Sequence, residues 1–470
     1  MGSPNVTKNR RAILPVALLL ALPAFGATPS VTAPEPERVR GREILRELIE
    51  TNTESSDGRV TDAAEKLAKR FLDAGFAPAD VQVVGDNPAK RNLVVRFHGR
   101  GERKPVLLFA HLDVVEARKE DWHTDPFRLV EQDGWFYGRG TMDIKGAAAG
   151  LVETLLRLHA ERFVPRGDYI LALTAGEEDG GDNGIQWLAA HRPELVDAAY
   201  GLNQDGGGPE LRNGMVAQLS VETAEKIYQS FTLTVRNPGG HSSLPTPENA
   251  IYRLAQALVK LSALQFPLHP NSATRGYFAG LAESATDGKA EDLRAVARDP
   301  SDPGALVRVA ASSTYNNSQL RTTCVATQLQ GGHAENALPQ MARATVNCRI
   351  LPDEDPAQVE AAIKAAIADP QVAIARVAAP NLSPPSVPDP ALFKRIADVA
   401  ATVWGPVPVR PYMSSGASDS VFLRAKMPVF VFNGIAYDVD DDRSHGQDER
   451  ILVASFYQSL EFDYRLLKAL

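Results

Sequence analysis

The sequence predicts an α/β protein: a mixed, largely parallel sheet flanked by helices, interrupted by an inserted α+β unit. Two observations carry that reading. Residues from about 38 to 205 alternate helical stretches with short apolar runs, the pattern of strands joined by crossover helices. After about 222 the texture changes to amphipathic strands, and the first texture resumes from about 386. The expected boundaries are 38–221 and 353–470 for the main unit and 222–352 for the insertion.

Taken in order, "AAEKLAKRFLDAGF" has helical periodicity, and "NLVVRFHG" and "PVLLFAHLDVV" read as strands. "AAAGLVETLLRLHAE" is a helix and "DYILALTAG" a strand. In the insertion, "YQSFTLTVRNPGGHSS" alternates like a half-buried strand, and "PENAIYRLAQALVKLSAL" is helical. A polar, Ala-rich stretch follows at about 270–312, then two strand-like runs ending near Ile350. The return to α/β texture brings a helix at "PALFKRIADVAATVWG", a strand at "PVFVFNG" and a final helix from Asp448. No internal repeat is present.

A chain of 470 residues is expected to form two or three domains, and 44% hydrophobic with 23% charged residues is a globular composition. The net charge of −8 and the lack of any basic stripe argue against nucleic acid or an anionic membrane as partner. Residues 1–27, with Lys8, Arg10 and Arg11 before an apolar stretch from Ala12 to Phe25, have the layout of a signal peptide. An uncleaved anchor is the alternative. A Pro-rich linker is expected at 28–37, and the mature protein is expected in the periplasm or outside the cell, with no stable membrane span. Cys324 and Cys348 can form one disulfide or remain two buried thiols.

Five places could carry chemistry. His111 and Asp113 end a strand, Asp143 sits in a Gly-rich turn before a helix, and Glu177 and Glu178 follow another strand. Asp205 ends a short apolar segment, and His445 lies in an acidic loop. Singly these read as solvated termini, a helix cap or a loop histidine. Together they could converge at the carboxyl edge of one sheet, as imidazole and carboxylate donors suited to zinc. Two zinc ions are neutralised by Asp143, Glu178, Asp205 and one hydroxide, which leaves Glu177 over as a general base. No Gly-x-Ser-x-Gly elbow suggests a serine hydrolase.

The runs "HLDVV", "DGWFYGRGTMDIKG", "TAGEEDGG", "DGGG", "NPGGHSS" and "SHGQDE" resemble, in that order, the dinuclear zinc exopeptidases typified by glutamate carboxypeptidase, carboxypeptidase S, aminoacylase and succinyl-diaminopimelate desuccinylase. The resemblance runs from about residue 40 to the end. It implies that His111, Asp205 and a bridging Asp143 hold one zinc, and that Glu178, His445 and the same Asp143 hold the other, with cobalt or manganese as possible substitutes. It implies further that Asp113 braces His111, that Glu177 is the base, and that a cis peptide follows Asp143. The insertion becomes a lid and dimerisation domain. His241 would reach a partner subunit's site in a homodimer, Asn336 and Arg349 would hold the substrate carboxylate, and Gly416 would lie in a substrate-binding loop. The implied activity is removal of the C-terminal residue from short peptides. A dipeptidase and an N-acyl-amino-acid amidohydrolase are alternatives. Asp205 departs from the glutamate of many members, and the 268–315 stretch is longer than in the smaller relatives.

Overall fold

The computed structural model describes residues 2, 31–56, 59–285, 288–298 and 300–470. The leader expected at 1–27 lies, except for Gly2, outside the described residues. The linker expected at 28–37 is shorter than the sequence suggests, because a helix opens at Glu35 behind Pro34. No helix among the described residues is long and apolar enough to cross a membrane.

A ten-stranded mixed sheet forms the main unit. At its centre Tyr169–Thr174, Val106–His111 and Tyr200–Asn203 are parallel neighbours, followed by Val429–Val431, also parallel. Val106–His111 and Tyr169–Thr174 are buried at every position, as strands covered on both faces must be. Helices Glu35–Ile49, Val60–Asp73, Lys145–Ala160, Pro390–Trp404 and Val453–Ala469 share the larger core on one face. Helix Gly184–His191 and Leu423, Met427 and Val429 close the other. A short strand, Arg450–Leu452, precedes the last helix, which therefore starts at Val453 and not at Asp448.

The inserted unit is a four-stranded antiparallel sheet in the order Thr323–Gly331, Met341–Ile350, Ile227–Arg236, Ala373–Arg376. Helices Ala250–Ser262 and Pro356–Ile367 pack on it around Phe231, Leu254, Val346 and Ile363. The boundary expected at 352 therefore falls after Arg376, since the helix and strand beyond 352 bury their apolar faces here. Cys324 and Cys348 are opposite one another on neighbouring strands and form a disulfide.

The Ala-rich stretch is helical: Ser272–Ser284, Lys289–Ala297, Pro303–Ser312 and Thr314–Leu320. These helices have a small core of their own and dock on strand Val409–Ser414 of the main sheet, not on the inserted sheet. Gly276 permits the approach, because a Cβ there would lie 2.5 Å from Pro411 Cγ.

Helix Lys145–Ala160, which begins beside Asp143, is held to the last helix through polar groups in the core. Arg157 bonds Glu461 of the last helix at 3.0 Å, and Glu153 is bonded at 2.6 Å by Arg40 of the first helix. Asp463 is fully enclosed, and one of its carboxyl oxygens has no hydrogen-bond partner. Burial, then the charge of Glu153, pushes its pKa up to about 8. A folded pKa above the unfolded value near 4 makes this group's contribution complete below about pH 4, and it is lost as pH rises through 8. Asp463→Asn should raise Tm at pH 8.5 by roughly 2–5 °C, about 1–2 kcal/mol, with the gain vanishing near pH 4. Melting curves across pH check this; an equal gain at both ends would remove Asp463 as the titrating group.

Candidate metal centre

Three of the chemically interesting segments leave the sheet on one edge because their strands are adjacent and parallel. His111 ends Val106–His111, Glu177 and Glu178 follow Tyr169–Thr174, and Asp205 follows Tyr200–Asn203. Neighbouring strands are about 4.8 Å apart, so side chains at their ends come within ligand distance of one another. The turn into the glutamates needs Gly176, at φ +74°, where a Cβ would lie 2.5 Å from Gly181 O. Asp143 arrives from the turn before Lys145–Ala160, and its peptide bond to Ile144 is cis. His445 arrives from the loop after Tyr437–Asp438, with a left-handed backbone at φ 61°.

Asp143 stands between the two histidines. Its Oδ1 is 3.1 Å from His111 Nε2 and its Oδ2 is 3.0 Å from His445 Nε2. Asp205 Oδ1 is 3.8 Å from His111 Nε2, and Glu178 Oε2 is 3.1 Å from His445 Nε2. Ligand atoms of His111, Glu177 and Asp205 all lie within 4.8 Å of one another, as do those of His111, Asp143 and Glu178. Among the described residues these are the groups that could hold a metal ion.

The bracing of His111 differs from the expectation. Its Nδ1 lies 2.9 Å from the main-chain carbonyl of Asp113, whereas the Asp113 carboxylate is 3.8 Å away. That carboxylate instead accepts the Glu178 amide at 3.0 Å, and its other oxygen is buried without a partner. Asp113 therefore orients both the imidazole and the glutamate turn, by different atoms.

A further acid, Asp419, lies behind the turn and has no sequence signal beyond its place in "SSGASDS". It accepts Thr174 Oγ1 at 3.0 Å and Asn183 Nδ2 at 2.6 Å, and Asn183 caps helix Gly184–His191. The two ends of the Glu177–Glu178 turn are thereby tied to one buried carboxyl.

Electrostatically the cluster is short of positive charge. Burial, then Asp205, pushes the Glu177 carboxyl up to about 10. Burial also raises Glu178 and Asp205. Burial opposes charge on Asp143 too, but hydrogen bonds from His111 and His445 outweigh it and hold its pKa below the usual carboxylate range. Hydrogen bonds to Asp143 and Glu178 raise His445 to about 10. In His111 burial opposes the cation, yet Asp143 and Asp205 leave its pKa well above the ordinary value. Acids driven toward neutrality beside histidines driven toward the cation form a donor set that divalent metal ions fit, and mixed imidazole and carboxylate donors suit zinc.

Arg349, on the inserted sheet, reaches toward the main unit: its Nη1 is 3.4 Å from Ser415 O, next to Gly416. Its guanidinium stacks over Tyr228 at 4.6 Å, and no carboxylate among the described residues pairs with it. Gly416 donates its amide to Ser414 Oγ at 3.0 Å. His241 lies in the small Gly240–His241/Ala337–Leu338 ladder, and Asn336 flanks it, its carbonyl accepting from Ser242 N. His241 is exposed and bonds Ser243; no hydrogen bond or ion pair joins it or Asn336 to the carboxylate cluster. Of the residues singled out in the sequence, six converge with Asp113 behind them, while Arg349 and Gly416 face the interdomain side and His241 and Asn336 stand apart.

Comparison with known proteins matches residues 107–469 to the description of peptidase family M20/M25/M40. The chain is 29% identical to the N-fatty-acyl-amino acid synthase/hydrolase PM20D1 of Xenopus tropicalis, over 77% of this chain and 72% of that protein. It is 28% identical to the probable carboxypeptidase S-like 2 of Dictyostelium discoideum, over 81% of this chain and 74% of that one. The M20 family metallo-carboxypeptidase Sso-CP2 from Sulfolobus solfataricus has the same fold, with a TM-score of 0.69 at 17% identity, covering 91% of this chain and 98% of its own.

Proposed function

The chain belongs to peptidase family M20/M25/M40, a family of metal-dependent hydrolases, and we propose that it cleaves the amide bond joining an acyl or peptidyl group to a carboxyl-terminal amino acid. This reading is carried by the carboxylate–histidine cluster together with Arg349 of the inserted sheet, a guanidinium that no carboxylate among the described residues pairs with and that reaches the main unit at Ser415. A free α-carboxylate on the leaving amino acid is the anion Arg349 suits, through a bidentate pair. Asn336 is its proposed companion, and Gly416 lines the adjoining loop.

His111, Asp205 and Asp143 would hold one zinc ion and Asp143, Glu178 and His445 the other, with cobalt or manganese able to substitute. When bound, two such ions acidify a water and polarise the scissile carbonyl. Glu177, the acid the ligand set leaves over, takes the proton of the attacking water and later delivers it to the leaving nitrogen. Asp113 keeps the His111 ring and the Glu178 amide in register.

A homodimer completes this reading. Thr323–Gly331 is an edge strand, exposed along most of its length, with Val325 and Leu329 facing outward. Tyr252 and Val259 on the neighbouring helix are each 69% exposed. An open edge beside an apolar face is a template for a second copy. His241, which bonds Ser243 and has no bond to its own cluster, would then steady the oxyanion in the partner's site. The signal-like residues 1–27 support export to the periplasm or beyond.

The first reading is a carboxypeptidase acting on short peptides. The likeness to PM20D1 favours a second, hydrolysis of N-acyl amino acids by the same site. Mass spectrometry on metal-loaded protein with a tripeptide, an N-blocked dipeptide, a free dipeptide and N-acetyl and N-oleoyl amino acids separates them. Chelator-sensitive release of the C-terminal residue from the first two is expected; turnover of the acyl amides alone selects the second reading, and of the free dipeptide alone a dipeptidase. Glu177→Gln should lower kcat by about 10²–10⁴ while both metal equivalents remain by elemental analysis; unchanged kcat would end the assignment. Mixing His241→Ala with Glu177→Gln subunits should restore part of the activity, because one site then has both groups. Absence of any recovery argues that sites are not shared.

A further inference from the structure

Glu449 lies in "SHGQDE", four residues after His445, and its side chain is fully buried. Its carboxylate accepts four hydrogen bonds. One oxygen takes the amides of Met142 at 2.7 Å and Asp143 at 3.0 Å. The other takes the Gly140 amide at 3.0 Å and Arg139 Nη1 at 2.7 Å. Arg139 also reaches back, donating from Nη2 to Gly446 O at 3.1 Å, and Gly138 N donates to Glu449 O. Four main-chain amides of the Gly-rich turn, those of Gly138, Gly140, Met142 and Asp143, are thus directed at one residue of the His445 loop.

We infer that Glu449 is the positioning residue that sets Asp143 against His445. The inference rests on the proposed two-ion centre, in which Asp143 is shared and His445 belongs to one ion. The turn Gly138–Asp143 has no regular structure to hold it, and the loop around His445 has left-handed residues at His445 and Asp448. Neither segment belongs to a helix or a strand. A carboxylate has about four acceptor positions, and here all are used by donors of the facing turn and Arg139, so rotation of either loop would break several bonds together. The 3.0 Å spacing of Asp143 Oδ2 and His445 Nε2 is therefore maintained by a group that touches neither side chain. Glutamine cannot replace it, because its amide NH2 would face the Gly140 amide and Arg139, both donors. Partners that orient ligands from behind typically contribute about 10- to 100-fold in metal affinity.

The test compares full-length wild type with Glu449→Gln, each stripped of metal and titrated with Co²⁺, following the visible spectrum and calorimetry. Wild type should bind two equivalents. The variant should retain one near wild-type affinity and bind the other about 10- to 100-fold more weakly, with an altered spectrum for that equivalent. A variant that binds both with wild-type affinity and spectrum, even if its Tm falls, overturns the inference, since a merely structural role would move only Tm. If wild type itself takes up fewer than two equivalents, the two-ion reading has failed and not the role of Glu449. Should Glu449→Gln fail to fold, Arg139→Lys, which keeps the charge but cannot bridge Glu449 and Gly446 O, should show the same selective weakening. Two wild-type equivalents in that variant would equally overturn it.

Discussion

The site depends on one constraint of sheet geometry: three parallel strands, adjacent in space, end on the same edge. Their spacing of about 4.8 Å is close to the span over which carboxylates and imidazoles can share ions. His111, the Glu177–Glu178 pair and Asp205 are brought together by this alone, although 94 residues separate the first from the last. The buried interior behind the edge excludes water from the inner acids, and that gives their charges weight. Exposed on a loop, the same residues would have ordinary acidities and no common function.

Concentrating acids at a low-dielectric edge is unfavourable unless positive charge is near. The chain meets this locally with His111 and His445, both bonded to Asp143, while three further carboxylates behind the site add no positive charge but hold its segments in place. Asp113 accepts the Glu178 amide, Asp419 ties Thr174 to Asn183, and Glu449 collects the amides of the Asp143 turn. Each of these three acids satisfies backbone or side-chain donors, so each both tolerates burial and restrains a ligand-bearing segment.

The inserted unit is a separate solution to a separate problem. Its antiparallel sheet has its own core and leaves both edge strands, Thr323–Gly331 and the short Ala373–Arg376, largely exposed. Arg349 is its one singled-out residue that contacts the main unit, at Ser415. The helices at 272–320 lengthen the main unit instead, docking on Val409–Ser414 through Gly276 and through Arg410 with Glu283.

Much of this was legible in the chain. Apolar runs such as "VLLFAH" and "YILALT" marked the central strands because fully buried strands need side chains that are apolar on both faces. The ligand residues stood out because polar residues at the ends of such runs have few other reasons to be there. Pairing Asp143 with both histidines followed from resemblance, and the Asp143 carboxylate lies 3.1 Å from His111 and 3.0 Å from His445. What sequence could not decide was anything set by contacts between distant segments. The helix 356–367 reads as amphipathic wherever it packs, so its membership in the inserted unit emerged only from the face it buries. Likewise Asp113 and a brace for His111 were predictable, but the choice of carbonyl over carboxylate depended on where the Glu178 amide came to lie. Asp419 and Glu449 lie inside short recognisable runs, but nothing in those runs tells what they bond, because their partners are 245 and 307 residues away and a hydrogen bond across that separation leaves no periodicity in the chain.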